Sequence, residues 1–265
     1  MSSTIASSGE YGSFSIERGH WDGMLQILRF NWTFYFVAVV VCLSASLILI
    51  LVPLSSVARL VLCTGVSCAV WWGLGSLLAS HFIYDRSIYP LDWLAKSLRR
   101  TPVRWVNIHA GFDETTAPLA GIFGAHGMTS LDIFDPQVMT EASIRRARNP
   151  GSAATVTRRA DFRCLPLENS SCDAVFLLFA AHEIRHRDKR RLFTGELARI
   201  LKPAGEIILV EHLRDAANFM AFGPGCLHFL PRSQWLAFAE EAELELTLEK
   251  RVNPFVRLFV LRKPT

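Results

Sequence analysis

A chain of 265 residues can hold one domain plus an appendage, and its apolar residues, 51% of the total, are bunched unevenly enough to favour that arrangement. The net charge of +4 is modest, and its basic residues gather at 86–104 instead of alternating with aromatics along a groove, which argues against a nucleic-acid partner. None of the six cysteines forms a CxxC pair, so reduced, metal-free thiols are expected.

Residues 1–13 are rich in Ser and Gly without apolar periodicity, which predicts disorder. From Phe14 to Asn31, Trp21, Leu25 and Ile27 mix with Arg18, His20 and Arg29, the pattern of an interfacial helix. The runs 34–52 and 60–82 contain no Asp, Glu, Lys or Arg, and each could cross roughly 30 Å of hydrocarbon as a helix. A cleaved signal peptide fits poorly, because the first run begins at residue 34 and a second follows at once.

Only 53–59 separates the runs, so a helical hairpin with both ends on one side is expected. Arg18 and Arg29 before it, and Arg86, Lys96, Arg99, Arg100 and Arg104 after it, outweigh the single Arg59 in the turn and place both ends in the cytoplasm. Gly65, Gly73, Gly75 and Ala79 would allow close helix contact, within the hairpin or between protomers of a homo-oligomer. The expected organisation is a disordered and interfacial segment at 1–33, a transmembrane hairpin at 34–83, a juxtamembrane connector at 84–101 and a domain at 102–265.

Within that domain, strand-like runs alternate with helical patterns, which is the mark of a doubly wound α/β sheet. Strands are predicted at 103–110, 128–134, 155–158, 174–179 and 206–211, with helices at 115–123, 137–148 and 187–201. A helix at 232–242 and a hairpin of 244–252 with 255–262 complete the pattern. Pro203 and Gly205 are expected to close the helix before the fifth strand.

Three segments carry a resemblance: Asp161-Phe-Arg-Cys-Leu165-Pro166, Ser170-Ser-Cys-Asp173, and Glu196-Leu-Ala-Arg199-Ile-Leu201-Lys202-Pro203-Ala-Gly205. Together they resemble the second half of a class I S-adenosylmethionine-dependent methyltransferase, of the type 11 or quinone-biosynthesis kind. The resemblance implies a Rossmann-like seven-stranded sheet whose last pair is antiparallel, with S-adenosylmethionine as cofactor. It also implies a glycine loop after the first strand, where a Cβ would block close approach, and a carboxylate on the ribose hydroxyls.

Here that loop is Val106-Asn107-Ile108-His109-Ala110-Gly111-Phe112-Asp113. It keeps only Gly111 of the usual three glycines, with His109 and Asp113 at the flanking positions and Asn107 where the family usually has an acid. Asp132 or Asp135 is the expected ribose ligand. Asp161 is expected at the adenine with Phe162 or Cys164 flanking it, and Ala180 completes the cofactor set.

His182 and Glu183 follow the fourth strand, where this family faces its acceptor, and either could remove a proton from a hydroxyl. Glu211 and His212 form a second acid–base pair. The histidines at 182, 186, 212 and 228 include one i, i+4 pair, His182 and His186, but no neighbouring strand offers thiolates or a clear third ligand, so no metal is expected.

The reading is a membrane-anchored methyltransferase with a cytoplasmic catalytic domain, acting at the cell membrane on a hydrophobic small molecule or lipid acceptor. The competing expectation, motivated by the missing glycines, is a non-catalytic protein of the same fold serving as a membrane scaffold or partner.

Overall fold

Five strands lie side by side in parallel: β1 (Trp105–His109), β2 (Met128–Asp132), β3 (Thr157–Arg159), β4 (Cys172–Leu178) and β5 (Leu201–His212). An antiparallel pair, β6 (Glu245–Asn253) and β7 (Val256–Arg262), joins through β7 to β5, giving the order β3-β2-β1-β4-β5-β7-β6. This is the expected Rossmann-like seven-stranded sheet. The computed structural model describes residues 19–89, 91–148 and 157–265. The expected disorder at 1–13, the first part of the interfacial helix and Thr155 at the start of the third strand lie outside the described residues.

Successive strand residues point to opposite faces, so the period-2 runs build two cores. Val106, Ile108, Val175, Leu177, Ile207 and Leu209 face one side. There they meet Phe193 and Leu197 of α6 (Arg187–Ile200) and Trp235 and Phe238 of α8 (Arg232–Glu241). Trp105, Ala174, Phe176, Ile208, Leu258 and Val260 face the other side and meet Leu119 of α4 (Thr116–Phe123).

The rest of that second core comes from an unexpected source. Ile83, Ile88, Leu91 and Leu94 have no exposed surface and pack in the second core. The segment read as a juxtamembrane connector at 84–101 therefore contributes to the fold, and the domain's core begins before residue 102. Burying each of these side chains contributes roughly 1.5–3 kcal/mol, which an exposed connector would forgo.

Among the described residues, two helices are long and apolar enough to cross a membrane: α2 (Trp32–Leu51) and the one that begins as α3 (Ser56–Ser80) and continues as a π-helical turn, His81–Ser87. They contact each other, and Tyr35 near the start of α2 bonds Ser76 near the end of α3 at 3.0 Å, so they run antiparallel as a hairpin. Both keep most of their apolar side chains exposed, unlike the core helix of a soluble protein.

The expected interfacial helix is α1 (Asp22–Phe30). It is held against the domain: Asp85 accepts from the Gly23 and Met24 amides at 2.6 and 3.1 Å, and Trp21 stacks on His81 at 4.1 Å.

Two other expectations change. Only Ala142–Ala147 (α5) of the predicted 137–148 helix is helical. Asp135 caps the Gln137 amide and Val138 and Met139 turn into the first core, so a tight turn replaces the first helical turn. Lys202–Gly205 sits inside β5 as a bulge, because pairing passes from Cys172–Leu201 to Ala174–Glu206.

Glu196 fastens the 161–167 turn to α6. Its carboxylate accepts from Leu165 N at 2.7 Å and pairs with Arg199, which also donates to the carbonyls of Leu165 and Leu167. The Arg199 guanidinium holds the Glu196 carboxyl below the usual range, against the smaller opposing effect of burial. The folded pKa is the lower one, so this contribution is full above the unfolded value of about 4.3 and is lost as pH falls through the folded value. Glu196→Gln should cost about 1–2 kcal/mol at neutral pH and much less near pH 3, measured as thermal unfolding across pH in detergent. An equal cost at both pH values would refute the assignment.

Candidate active site

The sheet order reverses between β1 and β4, and in such sheets the carboxyl ends at that point open a crevice. A cavity of about 440 Å³ lies there. Its floor includes His109, Ala180, His182, Glu183 and His212 from the ends of β1, β4 and β5. Its roof comes from the N-terminal helices, through Ile27 and Phe30 of α1, Phe34 and Tyr35 of α2, and Ser76 and Ser80 of α3.

On the β1 side, Asn107 is fully buried, and its amide donates to the hydroxyls of Thr115 and Thr116 at 2.9 and 2.7 Å. Asp113 accepts from the amides of the same two residues. Both side chains shape the loop from beneath, a correction to their expected place against a cofactor.

Gly111 has φ +92, and a Cβ there would come within 3.3 Å of Phe134 Cβ. His109 is buried, with neither ring nitrogen hydrogen-bonded among the described residues and Nε2 3.7 Å from Asp113. Burial lowers its pKa, against the opposing pull of Asp113 and Asp132. It pairs in register with Asp132, so the two side chains end neighbouring strands together.

Asp132 accepts from the Phe134 amide at 2.9 Å and lies 3.4 Å from Arg148, whose guanidinium covers the Phe134 ring. Arg163 bridges the two remaining acids, 2.8 Å from Asp135 and 3.1 Å from Asp161. Asp161 stays half exposed at the rim. Phe162, expected beside an adenine, has no exposed surface and packs in the first core, so it cannot flank a ligand. Cys164 is exposed.

At the end of β4, Phe179 adopts φ +54, a costly conformation for an aromatic residue. Its ring stacks on His212 at 4.9 Å, and Phe229 stacks on the same imidazole at 4.7 Å. His212 Nδ1 faces the Phe255 carbonyl at 3.1 Å, which can only accept, so Nδ1 carries the proton and Nε2 accepts from the Tyr84 hydroxyl at 2.9 Å. Burial above all pushes the His212 pKa down to about 3, keeping the ring neutral.

His182 has the opposite surroundings. Its Nδ1 lies 2.7 Å from Glu211, which is fully buried and also accepts from the Ala181 and His182 amides at 3.0 and 3.2 Å. Burial works to lower the His182 pKa, but the Glu211 and Glu183 carboxylates outweigh it and raise it to about 10. Glu183 Oε1 is 3.5 Å from His182 Nε2, and Glu183 Oε2 is buried without a hydrogen-bond partner among the described residues. The expected pairs His182–Glu183 and Glu211–His212 thus merge into one cluster around the cavity floor.

Residues 107–209, less than half of the chain, match the family model described as a methyltransferase domain. The matched stretch is similar to a methyltransferase domain and runs from β1 through β5. Comparison with curated proteins finds no match.

Among solved structures, a SAM-dependent methyltransferase from Aquifex aeolicus is similar at 14% identity over 66% of this chain and 89% of that one, with a TM-score of 0.48. One from Methanosarcina mazei is similar at 16% over 67% and 99%, with a TM-score of 0.46. The Burkholderia thailandensis 1,6-didemethyltoxoflavin-N1-methyltransferase, solved with 1,6-didemethyltoxoflavin and S-adenosylhomocysteine, is similar at 15% over 80% and 92%, with a TM-score of 0.46.

The cavity also draws in residues from distant stretches of the chain. Tyr84 belongs to the connector segment, and 128 positions separate it from His212. His228 comes from the loop after α7 (Ala216–Phe222) and lies 3.7 Å from Glu183. Arg148 and Arg163 carried no sequence signal beyond their charge. His186, the other half of the i, i+4 pair, forms the N-cap position of α6 and stays outside the cluster.

Proposed function

We propose that this protein is a membrane-anchored methyltransferase that modifies a hydrophobic small molecule or lipid. The observation that carries the reading is the shared wall of the cavity: the side chains that close it above His182 and Glu183 belong to the two helices apolar enough to span a bilayer. An acceptor dissolved in lipid reaches the site by passing between elements it already touches. The excess of Arg and Lys flanking the hairpin orients the domain to the cytoplasm at the cell membrane.

The residues present fit the cofactor. Gly111 leaves the loop without a Cβ, the His109 nitrogens, neither hydrogen-bonded among the described residues though Nε2 lies 3.7 Å from Asp113, offer hydrogen bonds at the end of β1, and Asp132 offers a carboxylate beside them for ribose hydroxyls. Asp161 and Asp135, joined by Arg163, mark the adenine end, and Ala180 borders the cavity on the β4 side. Bound S-adenosylmethionine supplies a methyl group activated by its sulfonium. Glu183 Oε2 takes up the proton of the acceptor's hydroxyl, His182 and Glu211 fix Glu183 in place, and neutral His212 orients Tyr84 at the cavity wall.

The test uses full-length protein in lipid nanodiscs with S-adenosylmethionine labelled in its methyl group. Micromolar binding, weakened about tenfold or more in Asp132→Ala, and label passing into the solvent-extractable lipid fraction are expected. Label found only in water-soluble products would overturn the hydrophobic acceptor.

A further inference from the structure

We propose that His182, Glu183 and His228 form a site for one divalent transition-metal cation at the floor of the cavity. The inference rests on the reading of this cavity as the acceptor site.

One ligand atom from each residue lies within 4.8 Å of the other two. Glu183 Oε1 is 3.5 Å from His182 Nε2 and 3.7 Å from His228 Nε2. Zinc bonds of about 2.0–2.2 Å in tetrahedral geometry require neighbouring ligands roughly 3.3 Å apart, so the two Glu183 edges need to close by only a few tenths of an ångström, while the His182–His228 edge closes by rotation of the two imidazoles from within 4.8 Å. Two imidazoles and one carboxylate form a common donor set for catalytic zinc, which keeps a further position open for substrate.

Three further observations point to a cation. Glu211 accepts from His182 Nδ1 at 2.7 Å inside the protein, the carboxylate–histidine arrangement that fixes the tautomer and presents Nε2 as a ligand. Glu183 is itself buried, and its Oε2 lacks a partner among the described residues. Glu141, Glu183 and Glu211 also converge here, and among the described residues Arg185 is the guanidinium paired with them, 3.0 Å from Glu141; a cation on His228 Nε2 places the ring proton on Nδ1, so Arg185 gives up its bond to Nδ1 and keeps Glu141.

From sequence no metal is expected, because the histidines at 182, 186, 212 and 228 include only one spaced pair, His182 and His186, and no neighbouring strand offers thiolates or a clear third ligand. The fold replaces His186 with His228, 46 positions from His182, and makes Glu183 the third. The cation's open position faces the cavity, where it would hold an acceptor through an oxygen atom, favouring acceptors with a hydroxyl or carbonyl at the reacting end.

The experiment titrates Zn²⁺ and Co²⁺ into chelator-treated, full-length protein in nanodiscs, with metal content by mass spectrometry and the visible Co²⁺ spectrum as readouts. The expected result is one cation per chain with a tetrahedral or five-coordinate Co²⁺ spectrum. His228→Ala and Glu183→Gln should each lose roughly 100-fold or more in affinity, and Glu211→Gln about 10–100-fold. His186→Ala should bind as the parent does.

No stoichiometric binding by folded protein, or binding that survives both His228→Ala and Glu183→Gln, overturns the site. Lipid methylation that proceeds unchanged in metal-free protein also overturns it while leaving the proposed function standing. Stoichiometric metal binding without methyl transfer to lipid leaves the metal site and refutes the acceptor reading.

Discussion

A Glu211→Gln protein is expected to fold, to bind S-adenosylmethionine as the parent does, and to transfer methyl groups at least about 100-fold more slowly, the usual scale for a misplaced acid–base group. The amide can still accept from the Ala181 and His182 backbones, so the turn survives. It cannot offer the negative charge that holds His182 Nδ1, and the ring loses its fixed orientation toward Glu183. Glu211 acts through its neighbour, so the effect should appear in kcat with the cofactor's Kd unchanged. A rate within threefold of the parent would show that the cluster is not used in the reaction. Glu211→Leu is a harsher change: three donors would lose their partner in a fully buried place, costing about 3–5 kcal/mol of stability.

The second large effect is expected at Gly111. Valine there must adopt φ near +92, which β-branched residues rarely do, and must bring its Cβ to 3.3 Å from Phe134. The strain costs on the order of 1–3 kcal/mol, and the loop will relieve it by moving. Cofactor binding should then become undetectable by calorimetry while the protein keeps its helical and sheet content. Binding within a few-fold of the parent would mean that the cofactor passes this loop at a distance, and that the missing glycines of the family pattern matter little.

Much of the fold was legible because burial writes itself into periodicity. β4, β5 and β7 are near-continuous apolar runs, α6 carries Phe193 and Leu197 on one face, and the two long uncharged runs became α2 and α3. The segment after α3 misled for a physical reason. Ile83, Ile88, Leu91 and Leu94 alternate with tyrosine, tryptophan and basic residues, and that mixture suits a membrane surface as well as a sheet face.

The site was legible where a strand end dictates it, as at His109, Asp132, His182 and Glu211. Elsewhere only packing decides. Asn107 and Phe162 carry suitable chemistry but point into the protein, and Tyr84 and His228 reach the cavity from remote stretches of chain.

The helix from Ser56 to Ser87 runs 32 residues, about 48 Å long, so in the proposed membrane-anchored arrangement about 18 Å of it extends past a hydrocarbon layer of about 30 Å. Its last turns are core, so nothing like a swivel lies between the bilayer and the sheet. The catalytic floor is thereby mounted on an axle whose residue count sets both its elevation above the lipid and its compass bearing. One residue added within the span would lift everything beyond it by about 1.5 Å and swing it by about 100°, aiming the cavity mouth at a different sector of the membrane.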